Sequence, residues 1–269
     1  MTLDEFLAWA WEGYAQLTPD APIVHRALSE RGERISNDHV AVRTFNLAGI
    51  SRFELGSVFE VWGYTRSPDD LDFVEKKLKA SYWLPPSPDY PKIFISELLL
   101  EKVTPGLREW ILSFAAPLAA RAAGRGAQLL LEQSWEPVSF ADYEKFYAES
   151  EYAAWTAAFG IRVNHFTVFV NGLRTFAGLE ELNAFLLTQG IKLSAAGGLI
   201  KGTPSELLEQ TSTQARPVPC RFAGGEAQSA LGCYYEFARR YPLPGGTALF
   251  EGFIPSSANR IFESTSRSS

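Results

Sequence analysis

Cysteine is nearly absent from this 269-residue chain, with Cys220 and Cys233 the only two. Their spacing fits no zinc motif and makes no disulfide framework, so free thiols in a reducing compartment are expected. A basic surplus is also missing: 25 Lys and Arg against 31 Asp and Glu leave a net charge of -6. That balance cannot neutralise a phosphate backbone, which excludes nucleic acid as a partner. Long apolar runs are lacking too. The stretch from Ile93 to Leu100 is broken by Ser96 and Glu97, far short of the roughly 20 residues a membrane helix needs. The N-terminus carries Asp4 and Glu5 where a secretory signal would be basic, so it reads as an amphipathic helix of a cytoplasmic protein. Gly224-Gly225 and Gly245-Gly246 have no lysine at the offset of a phosphate loop and read as turns. Histidine occurs only three times.

What remains is a chain with 46% hydrophobic residues, enough for one core or for two packed halves of about 100 to 150 residues. Apolar residues at helical spacing predict helices over 3–18 and 21–31. An alternating strand follows from His39 to Phe45, then a turn at Asn46–Gly49 and a helix through Phe53, Leu55, Val58, Phe59 and Trp62, ended by Gly63. Phe73–Ala80 and Lys92–Leu100 read as strands separated by Pro85-Pro86-Ser87-Pro88. Residues 106–131 and Phe140–Phe159 read as helices, and Leu207–Gln210 as a helix end before Thr211-Ser212-Thr213. The second half repeats the first. Asp38-His39-Val40-Ala41-Val42 is matched by Asn164-His165-Phe166-Thr167-Val168, and each run leads through a helix to a glycine, Gly63 or Gly190. Each half later places a glutamate in an apolar strand: Glu97 in Ile93–Leu98 and Glu236 in Cys233–Ala238. The expected fold is α+β, with two βαββ-type modules forming a curved sheet around a metal site. As one domain, it would comprise N-terminal helices (1–34), a first module (35–105), a helical linker (106–160) and a second module (161–265).

Two histidines beginning equivalent strands of a repeat point to metal ligation by His39 and His165, whereas a lone strand histidine is usually structural. Glu236 lies among Tyr234, Tyr235 and Phe237, where a carboxylate is costly unless paired or bound to a metal. Two imidazoles and one carboxylate leave three positions of an octahedral ion open, the arrangement in which non-haem Fe(II) takes a bidentate oxo acid and O2. Glu97 is the repeat-related rival, with an ion pair to Lys92 or Lys102 as its simpler role. Arg43 is four residues after His39 and so faces the same side of the strand; it can fork onto a substrate carboxylate or pair with a nearby acid. His25, in the N-terminal helices, reads as a surface or packing residue.

Several segments together resemble the 2-oxoadipate dioxygenase/decarboxylase family, whose members are also called 2-hydroxyglutarate synthases. They are Asp38–Asn46, Lys92–Leu98, Val163–Thr167, Tyr234–Arg240 and Leu249–Thr265, in the family's order. The resemblance implies a vicinal-oxygen-chelate core, Fe(II) on His39, His165 and Glu236, and Arg43 gripping the substrate. It further implies that 2-oxoadipate and O2 give 2-hydroxyglutarate and CO2, in lysine catabolism. Ser256 and Ser257 would line the pocket under the C-terminal segment. Bacterial members are longer, which leaves the choice of 2-oxo acid open. The residues alone also admit a metal-dependent lyase or isomerase of the same superfamily, or a non-catalytic metal-binding relative. They do not set the oligomeric state.

Overall fold

The computed structural model describes residues 1–122, 125, 128–131, 134–225 and 227–265, without the side chains of residues 128, 131, 257–259 and 263. The chain opens with α1 (Leu3–Leu17) and α2 (Asp20–Glu30), whose buried Phe6, Ala10, Tyr14, Val24 and Leu28 follow the expected helical spacing. The first repeat runs β1 (Asn37–Phe45), α3 (Arg52–Glu60), β2 (Thr65–Phe73), β3 (Leu78–Leu84) and β4 (Lys92–Leu98). Then come α4 (Pro105–Arg121), α5 (Gln128–Leu131), α6 (Phe140–Tyr147) and α7 (Glu151–Phe159). The second repeat runs β5 (Val163–Phe169), α8 (Leu179–Thr188), β6 (Lys201–Thr203) and β7 (Leu208–Ser212). A hairpin of β8 (Pro217–Arg221) and β9 (Ala227–Leu231) precedes β10 (Glu236–Arg240) and α9 (Pro255–Phe262).

Strand order makes the repeat concrete. The first repeat is ordered β2-β3-β4-β1 and the second β6-β7-β10-β5. Strand β4 therefore corresponds to β10, and β1 to β5. Contacts divide the chain into two compact units. One contains Met1–Ala10, Ala41–Asn164 and Pro217–Leu231; the other contains Trp11–Val40, His165–Arg216 and the residues from Gly232 on. In the first unit α3 lies directly on β3: a Cβ built on Gly56 would fall 1.8 Å from the Trp83 ring. Only glycine permits that approach. In the second unit β10 is parallel to β5 and antiparallel to β7.

Four local expectations are corrected. Phe73–Ala80 is a hairpin between β2 and β3, because Lys77 takes a left-handed conformation (φ 59°) that its residue type does not advertise. Phe140–Phe159 is two helices, the second restarted by Ser150, whose hydroxyl accepts from the Ala153 N–H at 3.1 Å. Leu207–Gln210 is no helix end. Leu207, at φ 65°, terminates a single 3-10 turn, and the buried strand β7 takes up Glu209 to Ser212. The strand expected from Cys233 begins only at Glu236.

Candidate metal centre

Three strand segments of the second unit supply the centre. The beginning of β1 brings Asp38 and His39, β5 brings His165 and Thr167, and β10 opens with Glu236. Glu236 stands opposite Thr167 in the β10–β5 ladder, and the two-residue period of β5 puts His165 on that same face. Candidate ligand atoms of His39, His165 and Glu236 all lie within 4.8 Å of one another. His39 Nε2 is 3.6 Å from Glu236 Oε1, and His165 Nε2 is 3.3 Å from Glu236 Oε2. The two imidazoles are nearly perpendicular, with centroids 5.5 Å apart. All three side chains are buried.

A second layer orients them. Asp38 Oδ1 is 2.8 Å from His39 Nδ1, which puts the proton on Nδ1 and turns the Nε2 lone pair toward Glu236. Asp38 is itself forked by Arg240, whose Nε and Nη2 donate at 2.6 and 2.8 Å. Arg240 Nη1 also donates to the carbonyls of Phe250 and Gly252, and the Phe253 ring stands edge-on to His39 with centroids 4.9 Å apart. The Thr167 hydroxyl lies 3.1 Å from His39 Nε2. His165 stacks on Tyr234 at 4.7 Å. Gln210 Nε2 donates to Glu236 Oε1 at 2.5 Å.

The electrostatics distinguish the two carboxylates. Burial acts to raise the Asp38 pKa, but the charge of Arg240 and hydrogen bonds from His39 and Arg240 outweigh it and hold the group far below the ordinary range. Glu236 moves the other way. Burial raises its pKa, and the favourable effects of His39, Gln210 and Lys201 do not cancel that. Its Oε2 is buried without a hydrogen-bond partner. A buried carboxylate that faces two imidazoles and keeps one oxygen unsatisfied is what a divalent cation would complete, so the residues fit a metal with His39, His165 and Glu236 as ligands.

The remaining candidates are placed as follows. Glu97, buried in β4, receives the Arg52 backbone N–H at 2.8 Å and pairs with the Arg52 guanidinium. Its partner is thus Arg52 of α3 rather than Lys92 or Lys102, because Glu97 points toward that helix. Arg43 is buried in the first unit, its guanidinium carbon 4.9 Å from the Tyr152 ring centroid and 5.0 Å from that of Trp155. Ser256 is exposed in the first turn of α9, and the Ser257 side chain lies outside the described residues. His25 is exposed, its ring near Trp11. Both cysteines are free and buried. Sequence reading gave no role to Arg240 or Gln210. Arg240 was accessible in principle, being at an even offset from Glu236 on one strand.

The fold is of the vicinal-oxygen-chelate type. A glyoxalase-superfamily protein from Ralstonia eutropha shares it, with a TM-score of 0.73 at 20% identity over 91% of this chain and 83% of that one. The family model for 2-oxoadipate dioxygenase/decarboxylase matches residues 119–251. The chloroplastic 2-oxoadipate dioxygenase/decarboxylase of Arabidopsis thaliana is 35% identical over 87% of this chain and 69% of its own length. Among solved structures, the Oryza sativa hydroxyglutarate synthase in complex with 2-oxoadipate superposes with a TM-score of 0.89 at 30% identity, covering 98% and 92% of the two chains. A Shewanella frigidimarina protein described as a hydrolase gives 0.85 at 40% identity, covering 94% and 97%. The chain belongs to the 2-oxoadipate dioxygenase/decarboxylase family. No helix among the described residues is long and apolar enough to cross a membrane.

Proposed function

We propose that this chain is an Fe(II)-dependent dioxygenase/decarboxylase that converts 2-oxoadipate and O2 to 2-hydroxyglutarate and CO2. The observation that carries the reading is the buried His39–His165–Glu236 set with its orphaned carboxylate oxygen, in a chain 30% identical to a relative solved with 2-oxoadipate. Iron is preferred over zinc because activating O2 requires a redox-active ion, and two histidines with one carboxylate are a known ligand set for non-haem Fe(II). When bound, that ion supplies the electron that activates O2 beside a chelating 2-oxo acid.

The protein's own part is to position and to exclude water. Asp38, fixed by Arg240, keeps His39 in the tautomer that presents Nε2. Gln210 ties down Glu236 Oε1 and leaves Oε2 for the metal. Phe253 and Tyr234 flank the imidazoles with apolar surface. Arg43 is assigned to gripping the oxo acid, supported by its parity with His39 along β1 and by the forked geometry of guanidinium on carboxylate. A cytoplasmic location agrees with the two free thiols, and a place in lysine catabolism follows from the family resemblance.

The test is O2 uptake by anaerobically purified, Fe(II)-loaded protein given a panel of 2-oxo acids. Uptake matched one-to-one by CO2 and 2-hydroxyglutarate is expected with 2-oxoadipate. Uptake with a different acid would change the substrate. Conversion without O2 consumption would replace the reaction with a lyase or isomerase step, and no conversion at all would leave a metal-binding relative without catalysis.

A further inference from the structure

Activating O2 exposes the surroundings of the centre to oxidation whenever the oxo acid is decarboxylated but its remainder leaves unhydroxylated. O2 accepts four electrons in all, and the decarboxylation supplies two. The other two must then come from the protein. The composition of the second unit narrows the source. It contains no methionine, one buried cysteine (Cys233) and one of the chain's seven tryptophans, Trp11.

Trp11 sits behind the ligands. His165 and Phe166 are consecutive on β5, so their rings take opposite faces, and Phe166 meets Trp11 edge-on with centroids 5.2 Å apart. Tyr235 directly precedes Glu236, and its ring is 5.6 Å from that of Trp11. One indole therefore touches the chain neighbours of two proposed ligands. Tyr14, one turn along α1, completes the cluster at 5.5 Å from Trp11 and 6.2 Å from Tyr235. Tyr14 and Tyr235 are buried, whereas Trp11 is half-buried.

This layer departs from ordinary core packing at Tyr235, whose hydroxyl is buried with no hydrogen-bond partner. Such groups are normally paired, and a redox role is one reason for an exception. Oxidising a phenol requires its proton to leave. Tyr235 offers that proton no acceptor, Tyr14 donates at 2.7 Å only to the Tyr234 carbonyl, and burial pushes both pKa values up. An electron can thus cross the layer without either phenol being trapped in oxidised form. An indole gives up its electron first and its proton later. Trp11 is placed for both steps, with exposed His25 beside it at 5.6 Å and solvent at its edge.

We propose that Trp11 is the sacrificial electron donor of the metal centre, drawing oxidising equivalents that escape productive turnover away from His39, His165 and Glu236. The step balances. Trp11 takes an oxygen atom from water and releases two electrons and two protons, becoming hydroxytryptophan; these reduce the oxygen atom left from O2 to water. In sum, 2-oxoadipate, O2 and Trp11 give glutarate, CO2 and hydroxytryptophan. The inference rests on the reading of the protein as an Fe(II) 2-oxo acid enzyme.

A test independent of the oxo acid uses hydrogen peroxide, a two-electron oxidant that converts the indole to hydroxytryptophan and is itself reduced to water. Anaerobic Fe(II)-loaded and metal-free protein receive equimolar peroxide, and peptide mass spectrometry locates the added oxygen. Trp11 should carry it in the loaded protein, while the more exposed Trp9 and the metal-free protein should stay unmarked. Trp11→Phe keeps a ring against Phe166 and Tyr235, so its metal content should start unchanged. The oxygen should then move to Tyr234 or His165, and metal should be lost over repeated additions. With 2-oxoadipate and O2, marking of Trp11 should track glutarate rather than 2-hydroxyglutarate. Trp9 marked as heavily as Trp11, equal marking of metal-free protein, glutarate formed without marking, or a Trp11→Phe protein that keeps its metal as long as the unsubstituted one overturns the proposal. Peroxide marking of Trp11 without any 2-oxo acid turnover leaves the donor standing and overturns the reaction, and protein that binds no Fe(II) overturns both.

Discussion

Glu97 and Glu236 occupy corresponding strands of the two repeats, β4 and β10, each beside the strand that opens its module. Both are buried, and burial raises the pKa of both. They differ in what answers the charge. Glu97 points toward α3 and is met by Arg52, a cation covalently part of the chain. Glu236 faces two imidazoles and keeps one oxygen without a hydrogen bond. One repeat thus closes its acidic position with an internal ion pair, while the other leaves an oxygen that a bound cation could satisfy. The same residue type in corresponding strands thus meets an arginine in one repeat and two imidazoles in the other.

The largest test of this contrast is Glu236→Gln. Glutamine keeps the shape and the Gln210 neighbourhood but removes the anionic ligand, so metal should be lost and turnover should fall by about 10³-fold or more. Metal analysis of the purified variant is decisive, since retained stoichiometric metal would remove Glu236 from the ligand set. Glu97→Gln should do the reverse. Folded protein should keep its metal, while denaturant unfolding should show a loss of about 1 to 3 kcal/mol because Arg52 loses its buried carboxylate partner and keeps only the partly exposed Asp70. A Glu97 variant with lost metal and unchanged stability would collapse the distinction between the repeats. A smaller effect is expected from Asp38→Asn, which weakens the hold on the His39 tautomer and removes the partner of Arg240. Metal affinity, read by competition with a chelator, should fall about 10- to 100-fold.

Much of this was legible in the sequence because it depended on repetition. His39 and His165 open matching runs, so the repeat identified them without any knowledge of distance. Their strand faces followed from period-two alternation. The choice between Glu97 and Glu236 was less secure. Ile-Ser-Glu-Leu and Tyr-Glu-Phe-Ala both place a glutamate among apolar residues, and whether it faces helix or cavity depends on parity against neighbouring strands. Arg52, which decides the matter for Glu97, is 45 residues away in the chain. Asp38, Arg240 and Gln210 were harder still, since Asp38 and Arg240 meet across 202 residues. Turn chemistry failed at Lys77 and Leu207, where non-glycine residues adopt positive φ that their residue types do not signal.

The smallest effect concerns acid stability on the Arg52 side. Arg52 also pairs with Asp70 at 3.2 Å, and Asp70 accepts from Ser81 and Arg66 at 2.6 Å each. Burial would raise the Asp70 pKa, but the hydrogen bonds from Ser81 and Arg66 and the charges of Arg52 and Arg66 outweigh it, and the pKa is lowered. Asp70 thus ionises at lower pH folded than unfolded. Its contribution is complete above the ordinary aspartate value of about 3.9 and fades as pH falls through the folded value. The unsubstituted protein should exceed Asp70→Asn in stability at pH 6, and the gap should narrow as pH falls below the ordinary aspartate value. Because Asp70 is partly exposed, the gap should be small and should shrink with salt. Chelator should not change it, because this network is closed by arginine. A gap that appears only in metal-loaded protein would show that the Arg52 network and the metal centre are energetically coupled.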